Sequence, residues 1–273
     1  MDELILEAGR AERNYWRDLW RYRELFYFLA WRDILVRYKQ TVIGIAWAVI
    51  RPLLTMLALT MVFHKFAKVS APGATPYALL VMAAMLPWQF FSTSLSECSN
   101  SLIGNSNLIS KIYFPRLIVP AGSVITSFVD FLITLALMAA LMLWYGFFPD
   151  WRLLLLPAFI MLAFAASFGL GLWLAALNVE YRDFRYIVPF VVQFGVLVSP
   201  VGFPSSYVPA KWRLLYDLNP MVGVIDGFRW SLLKGEGVLD WSAILLSAIT
   251  VILLLTAGVW YFRRMERTFA DVI

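Results

Sequence analysis

Long apolar segments alternate with short polar ones along most of the chain. A helix needs about 20 apolar residues to cross the roughly 30 Å hydrocarbon layer of a membrane. The pattern predicts an all-α integral membrane protein with six transmembrane helices. These are residues 42–63, 76–97, 118–147, 153–177, 187–203 and 239–262. The fifth segment is the shortest and contains Pro189 and Pro200, so we expect it to be kinked or to stop short of the far side.

Residues 1–41 form a polar N-terminal arm, and residues 42–273 form one membrane domain. Near the end of the arm, apolar side chains recur at helical spacing, with about 100° between successive residues. They share one side of the helix and are Phe28, Trp31, Ile34, Leu35 and Tyr38. Charged side chains occupy the remaining surface, so the segment predicts an amphipathic helix on the membrane surface. Such a helix is either an anchor alone or, because it runs directly into the first span, a lever that moves that span.

The connection between the fifth and sixth spans departs from the simple span pattern. Residues 204–238 are too apolar for a solvated linker, and prolines and glycines divide them into short pieces. Irregular backbone at membrane depth must be buried in protein or line a cavity. The connection therefore predicts short re-entrant or interfacial helices. An ordinary loop anchored by Trp212 and Trp230 is the alternative.

Composition agrees with a membrane protein, since 61% of the 273 residues are hydrophobic and 15% are charged. The chain has 23 Lys and Arg and a net charge of +5. Fifteen of these cations lie in the N-terminal arm, in residues 98–117 and 178–186, and in the C-terminal tail, whereas seven lie in the alternate loops. The positive-inside rule therefore predicts that both termini are cytoplasmic. Because this rule accounts for the basic surplus, we expect no nucleic-acid partner.

Residues that could carry chemistry are sparse. The single Cys98 excludes an intrachain disulfide, and the spacing of His, Cys and carboxylates predicts no metal site. Two ionisable residues, Arg51 and Asp130, lie deep in predicted spans, about 14–18 Å along helices that start on the same face. Because a lone charge is costly there, we expect the two to form a salt bridge or to face a polar channel, with snorkelling to the surface as the remaining alternative.

Five short motifs follow one another along the chain. They are RYKQTVIGIAWAVIRP from Arg37, NSNLISKIYFPRLIVP from Asn105, NVEYRDFRYIVP from Asn178, SP at Ser199 and LNPM from Leu218. The ordered set resembles permease subunits of bacterial ABC-2 type ABC transporters, particularly those that export O antigen, capsule or teichoic acid. One departure is Ile43, because the family usually has Leu before the glycine at position 44.

The resemblance implies a homodimer in the bacterial inner membrane that exports lipid-linked polysaccharide from the cytoplasm. It also implies two copies of a separate cytoplasmic ATPase, which would bind ATP and Mg. The sequence agrees in one respect, since it contains no G-x-x-x-x-G-K-[ST] phosphate-binding loop. We therefore expect a transport subunit with no enzymatic activity or cofactor of its own, in contact with membrane lipids. The alternatives are export of a drug-like or lipid small molecule and, more remotely, a membrane-embedded transferase acting on lipid-linked sugars.

The resemblance and the residue pattern together suggest three groups of functional residues. The residues expected to contact the ATPase are Trp31, Arg32, Arg37, Tyr38, Lys39, Asn107, Lys111, Phe114, Arg116, Arg182, Asp183 and Arg185. Aromatic, hydroxyl and charged side chains within the spans either pack the interior or line a path on which sugar rings slide; they are Arg51, Trp88, Phe90, Phe91, Ser94, Asp130 and Phe194. The residues expected to close the path on the outside are Trp212, Tyr216, Asn219, Pro220, Phe228 and Trp230.

Overall fold

The computed structural model describes residues 15–39, 44–69, 75–181, 183–235 and 239–269. Within these ranges the chain forms eleven α-helices and no β-strand. The first six are α1 (Tyr15–Arg21), α2 (Arg23–Lys39), α3 (Gly44–Leu59), α4 (Tyr77–Gly104), α5 (Ser106–Ile109) and α6 (Ile118–Trp144). The other five are α7 (Leu156–Glu180), α8 (Phe184–Val198), α9 (Ala210–Asp217), α10 (Pro220–Leu232) and α11 (Trp241–Met265). A π-helical segment (Thr60–Phe66) continues α3, and a 3-10 turn (Trp151–Leu155) leads into α7.

Five of the described helices are long and apolar enough to cross a membrane, namely α3 with its π-helical extension, α4, α6, α7 and α11. The predicted fifth span is shorter than the others, because α8 has 15 residues and therefore a length of about 22 Å. It ends at Ser199, whose backbone is extended (φ −101°, ψ 152°). A residue before proline is disfavoured in the helical region, so Pro200 favours the end of α8 at this point. The chain is thus an all-helical membrane protein with five full-length candidate spans and one shorter apolar helix.

Helix α4 forms the centre of the bundle. In the most apolar 18-residue stretch of α4, 72% of the residues are buried, whereas in the corresponding stretch of the α3 span 11% are buried. Helices α6 and α7 pack against α4, and α11 packs against α7. The contact between α7 and α11 requires glycine, since a Cβ at Gly169 would lie 2.5 Å from the Leu255 Cα, and one at Gly258 would overlap the Gly169 carbonyl oxygen. Helices α4, α6, α7 and α11 therefore form a tightly packed body.

The two ends of α4 define the two ends of the bundle. Near Gly104, Asn178 of α7 donates to the Ser99 carbonyl oxygen (2.9 Å) and Arg32 of α2 donates to Asn105 Oδ1 (2.8 Å). We call this the Gly104 end, and the opposite end, where α4 begins, the Tyr77 end. At the Tyr77 end the hydroxyl of Tyr77 donates to the carbonyl oxygen of Gly202, in the turn after α8.

Helix α2 lies against α6 through Leu29 and Ala30, which are buried, while its apolar residues Phe28, Trp31 and Leu35 are exposed. A helix therefore occupies the predicted segment, with one face on the protein and an apolar face turned outward. Its predicted direct continuation into the first span falls on residues 40–43, which lie outside the described residues.

The connection after α8 forms the short helices that the sequence predicts. A 3-10 turn (Ser205–Tyr207) is followed by α9 and α10. Asn219 caps α10 by accepting a hydrogen bond from the Met221 N–H (3.0 Å), and Pro220 occupies the first turn, where its missing N–H costs nothing. Helix α10 packs among α4, α7 and α11, so it belongs to the body of the protein.

Candidate functional site

A polar cavity of about 300 Å³ lies where the end of α2 meets α3, α4 and α6. Apolar spans rarely enclose so many polar groups, because each must find a partner or water. The polar residues that line the cavity are Arg37, Tyr38, Arg51, Gln89, Thr93, Glu97, Asp130 and Thr134. The aromatic rings of Trp47, Phe90 and Phe131 complete its wall.

Arg37 is the centre of a charged network in this cavity. Its guanidinium donates to Asp130 Oδ2 of α6 (2.5 Å) and to Glu97 of α4. The Tyr38 hydroxyl donates to the other oxygen of Asp130. Burial, together with this hydrogen bond, raises the pKa of Tyr38 above its ordinary value, so the hydroxyl keeps its proton. One surface helix is thereby joined to two spans by charge-assisted hydrogen bonds, which are the stronger class.

This network corrects one sequence prediction. The side chains of Arg37 and Tyr38, two of the residues predicted to couple to the ATPase, point toward the spans. Arg37 follows Ala30 by seven residues, or about two helical turns, so it shares the face of α2 that packs on α6. The predicted salt bridge between Arg51 and Asp130 does not form, because Arg37 pairs with Asp130 instead. Arg51 lines the same cavity, and among the described residues its guanidinium has no ion-pair partner.

The segments expected to dock on the ATPase lie together at the Gly104 end. Arg32 ties α2 to the end of α4, and Asn178 ties the end of α7 to it. Among the other predicted contact residues the exposed ones are Trp31, Lys39, Asn107, Lys111, Asp183 and Arg185. Phe114 is buried, and the Arg116 backbone N–H donates to Glu266 Oε1 (2.7 Å). Arg182 lies outside the described residues.

Two asparagines lie at the junction of α4 and α5 at this end. Asn105 occupies the position before α5, but its side chain donates to the Ser101 carbonyl oxygen (2.9 Å) and accepts from Arg32 instead of capping the helix. Asn107 lies inside α5, which is four residues long. The Asn105 amide therefore fastens α2 to the end of α4 and does not cap α5.

Comparison with known proteins identifies the architecture. The family model described as ABC-2 type transporter matches residues 24–233, about three quarters of the chain. The chain belongs to this family. The O-antigen export system permease protein RfbA of Myxococcus xanthus is 28% identical over 260 residues, which is 94% of this chain and 98% of that protein. An RfbA of Klebsiella pneumoniae is 28% identical over 89% of this chain and 92% of its own, and the polysialic acid transport protein KpsM of Escherichia coli is 23% identical over 76% and 81%.

Most residues predicted to line the path of this ABC-2 protein are buried within the single chain. Trp88, Phe91 and Ser94 are buried. Phe90 is buried too, and its ring lies 5.3 Å from that of Phe131 and 5.8 Å from that of Phe128. The packing interpretation therefore describes these four residues, and of the predicted aromatic wall only Phe194, at 51% exposure, faces outward among the described residues.

Of the residues predicted on α3 and α8, Arg51, Arg185 and Phe194 are exposed. Both helices also carry an exposed apolar surface, as α11 does, but they pack less extensively on the other helices. On α3 this surface consists of Trp47, Ile50, Leu54, Leu57 and Met61, and on α8 of Ile187, Phe190, Val191, Phe194, Leu197 and Val198. Spacing of three and four residues was the available signal, but spans that are apolar on every side conceal it. The ABC-2 protein thus presents two loosely packed apolar helices beside a tightly packed body.

The residues predicted to close the outside divide into two groups. Trp212 is exposed and Tyr216 is half-buried on α9. Asn219 caps α10 and donates to Ser199 Oγ (3.0 Å), which fixes Pro220 beside the end of α8. Phe228 is fully buried against Phe131 (6.1 Å between rings). Trp230 packs edge-on against Trp151 (6.2 Å). Phe228 and Trp230 therefore stabilise the fold, whereas Trp212 of α9 is exposed.

Sequence reasoning missed Arg229, although the Asp226 and Arg229 pair in apolar α10 was a signal. Arg229 is 5% exposed. Its guanidinium donates to the carbonyl oxygens of Leu80 (3.3 Å), Val201 (3.0 Å) and Phe203 (3.0 Å). The first acceptor belongs to α4 and the other two to the turn after α8. Arg229 therefore fastens the end of α8 to the body of the permease.

Proposed function

We propose that the chain is the membrane subunit of an ATP-driven exporter that moves lipid-linked polysaccharide, of the O-antigen or capsule kind, across the bacterial inner membrane. Similarity over nearly the full length to proteins named for O-antigen export carries this proposal. A Neisseria meningitidis relative named as a capsule polysaccharide export inner-membrane protein, 26% identical over 74% of this chain, points to the same substrate class.

The proposed topology has six crossings with both termini in the cytoplasm. The Lys and Arg distribution favours this orientation. The position of α8 supports the sixth crossing, since it begins just after α7 at the Gly104 end. It finishes at the Tyr77 end, where Arg229 and Tyr77 bind the Val201 and Gly202 carbonyl oxygens. A helix of about 22 Å can connect both ends because the turn after it completes the distance and a short span can thin the bilayer locally.

A separate ATPase would supply the energy, because the sequence has no phosphate-binding loop. It would bind at the Gly104 end, on the exposed residues of α2, α5 and the turn before α8. Movement of α2 would then pull on α4 through Glu97 and on α6 through Asp130, since Arg37 binds both. The charged network thus serves as the mechanical link between ATPase and spans.

The exposed faces of α3 and α8 suit a homodimer. Their side chains are apolar, and few of them pack within the chain. Two copies facing each other through these helices would enclose a path between them that opens when the loosely packed helices separate. Helix α9, with Trp212 and Tyr216, would close the path on the outer side.

The test is genetic and biochemical. Deleting the gene should remove the polysaccharide from the cell surface and cause its lipid-linked form to accumulate inside. The wild-type chain should restore export only together with an active ATPase, so an ATPase whose phosphate-loop lysine is replaced is the control. Normal surface glycan in the deletion strain, with transport of a drug-like molecule by the purified pair, would favour the alternative exporter. Turnover of lipid-linked sugars by the purified chain alone would instead indicate a transferase.

A further inference from the structure

A second, larger cavity lies at the Gly104 end on another side of the protein. It has a volume of about 1260 Å³ and lies between α1, the turn before α6 and the end of α11. Helix α11 packs on α7 and α10, whereas the proposed dimer face is on α3 and α8. This groove therefore belongs to neither the network around Arg37 nor the proposed path.

The mouth of the groove is basic. Four arginines line it, against the two carboxylates of Asp18 and Glu266. Glu266 is already hydrogen-bonded to Arg116. Its Oε1 accepts a hydrogen bond from the Arg116 backbone N–H, and its backbone oxygen accepts one from the Arg116 guanidinium. Burial raises the pKa of Glu266 above its ordinary value. The groove thus has a positive balance.

Arg263 and Arg264 each lie over an aromatic ring, and Arg263 also interacts electrostatically with Glu266. The Arg263 Cζ lies 4.6 Å from the centre of the Tyr15 ring, and the Arg264 Cζ lies 5.6 Å from that of Trp260. Neither forms an ion pair within the part of the chain that the structure describes. A guanidinium stacked on a ring keeps its in-plane N–H donors available, and these match the oxygens of a phosphate.

The wall below the arginines is apolar. It consists of Leu255 and Val259 of α11, with Thr256 and the 62% exposed Trp260 beside them. A basic mouth above an apolar wall, with a tryptophan at the boundary, is the arrangement by which spans hold lipid head groups at a membrane surface. A soluble anion or an acidic peptide would have no use for the apolar part.

We propose that this groove binds an anionic glycerophospholipid, with its phosphate on Arg263 and Arg264 and an acyl chain along Leu255 and Val259. The proposal rests on the proposed orientation, which places the groove at the cytoplasmic leaflet. It does not depend on which molecule the transporter exports, so binding and export can fail independently.

The test uses the full chain, purified with its ATPase and reconstituted in nanodiscs of phosphatidylcholine with or without phosphatidylglycerol. Bound lipid is counted by native mass spectrometry, and stability is followed by thermal unfolding. Phosphatidylglycerol should be retained and should raise the melting temperature. The R263Q/R264Q variant should lose about tenfold or more in affinity, since each hydrogen bond to a charged group is strong. The matched control R17Q/R21Q removes two exposed charges of α1, which borders the same groove without these residues lining it, and should bind like wild type.

A second variant keeps the test valid if the R263Q/R264Q protein fails to fold. T256W fills the apolar part of the groove from an exposed position and leaves both arginines in place, so it should also reduce retention of phosphatidylglycerol. Equal binding by R263Q/R264Q and the control would overturn the proposal. If inorganic phosphate raises the melting temperature as much as phosphatidylglycerol does, the groove is a free-anion site. If phosphatidylglycerol binds only after the ATPase is removed, the groove is an ATPase contact. Either result overturns the proposal of a lipid site.

Discussion

The Arg37 and Asp130 pair gives the sharpest test of the proposed coupling. Replacing Asp130 by Asn keeps the shape of the side chain and an acceptor for Tyr38 but removes the charge that Arg37 binds. Replacing Arg37 by Gln removes the link to both Asp130 and Glu97. Because the two charges pair, the double variant R37Q/D130N should cost less than the sum of the single changes, since neither charge is then left alone.

The magnitude follows from the partial burial of the pair. At an effective dielectric of about 20, two unit charges 4 Å apart attract by about 4 kcal/mol, and desolvation cancels part of this. The two side chains are 27% and 28% exposed, so the pair lies between a surface pair, worth about 0.2–1 kcal/mol, and a buried one. We expect Asp130→Asn to lower the free energy of unfolding by about 2 kcal/mol. For a chain of this size that corresponds to a fall in melting temperature of about 4–8 °C.

The assay is thermal unfolding of the wild type, the two single variants and the double variant in the same lipid nanodiscs. Arg51→Gln is the matched control, because Arg51 lines the same cavity without pairing with Asp130. It should shift the melting temperature by less than about 2 °C, and its effect should add to that of Asp130→Asn. Additive effects of R37Q and D130N, or coupling between R51Q and D130N, would refute this account. A coupling role further requires that D130N lowers export while the ATPase still co-purifies.

Four further predictions follow from the structure. Gly258→Ala should lower the melting temperature by several degrees because its Cβ overlaps α7, whereas Gly104→Ala, with nothing within 4 Å of its Cβ, should not. Arg229→Met leaves three carbonyl oxygens without their donor and should lower the free energy of unfolding by about 3 kcal/mol or more. Arg229→Lys should recover part of that stability. A Met variant as stable as the wild type would contradict this role of Arg229. Asp183→Arg should weaken co-purification of the ATPase without changing membrane insertion, and unchanged association would remove this turn from the docking surface. Trp212→Ala should make vesicles containing the purified complex leak small ions, and wild-type conductance would place the closure elsewhere.

The sequence predicts the elements of this protein better than their contacts. Helical spans, the surface helix and the divided outer segment follow from periodicity, length and proline positions, which are local properties. The partner of Asp130 does not follow from local properties. Arg37 and Arg51 are both cations at suitable positions, and only the packing of α2 on α6 decides between them. Likewise, residue type alone does not show whether Phe90 and Phe228 line or close a path or pack in the core. Their burial depends on which helices surround them.

The distribution of packing also indicates which parts of the protein can move. Helices α4, α7 and α11 are held by buried side chains and by the glycine contact at positions 169 and 258, whereas α3 is 11% buried over its most apolar residues. Elements with few buried contacts open at the lowest free-energy cost, so α3 and α8 can shift while the body stays intact. Arg37 belongs to α2, the helix that precedes α3, and binds Glu97 and Asp130 of the body. The charged network therefore joins α2 to the body, which is the position that the proposed coupling of an ATPase to the opening of a path requires.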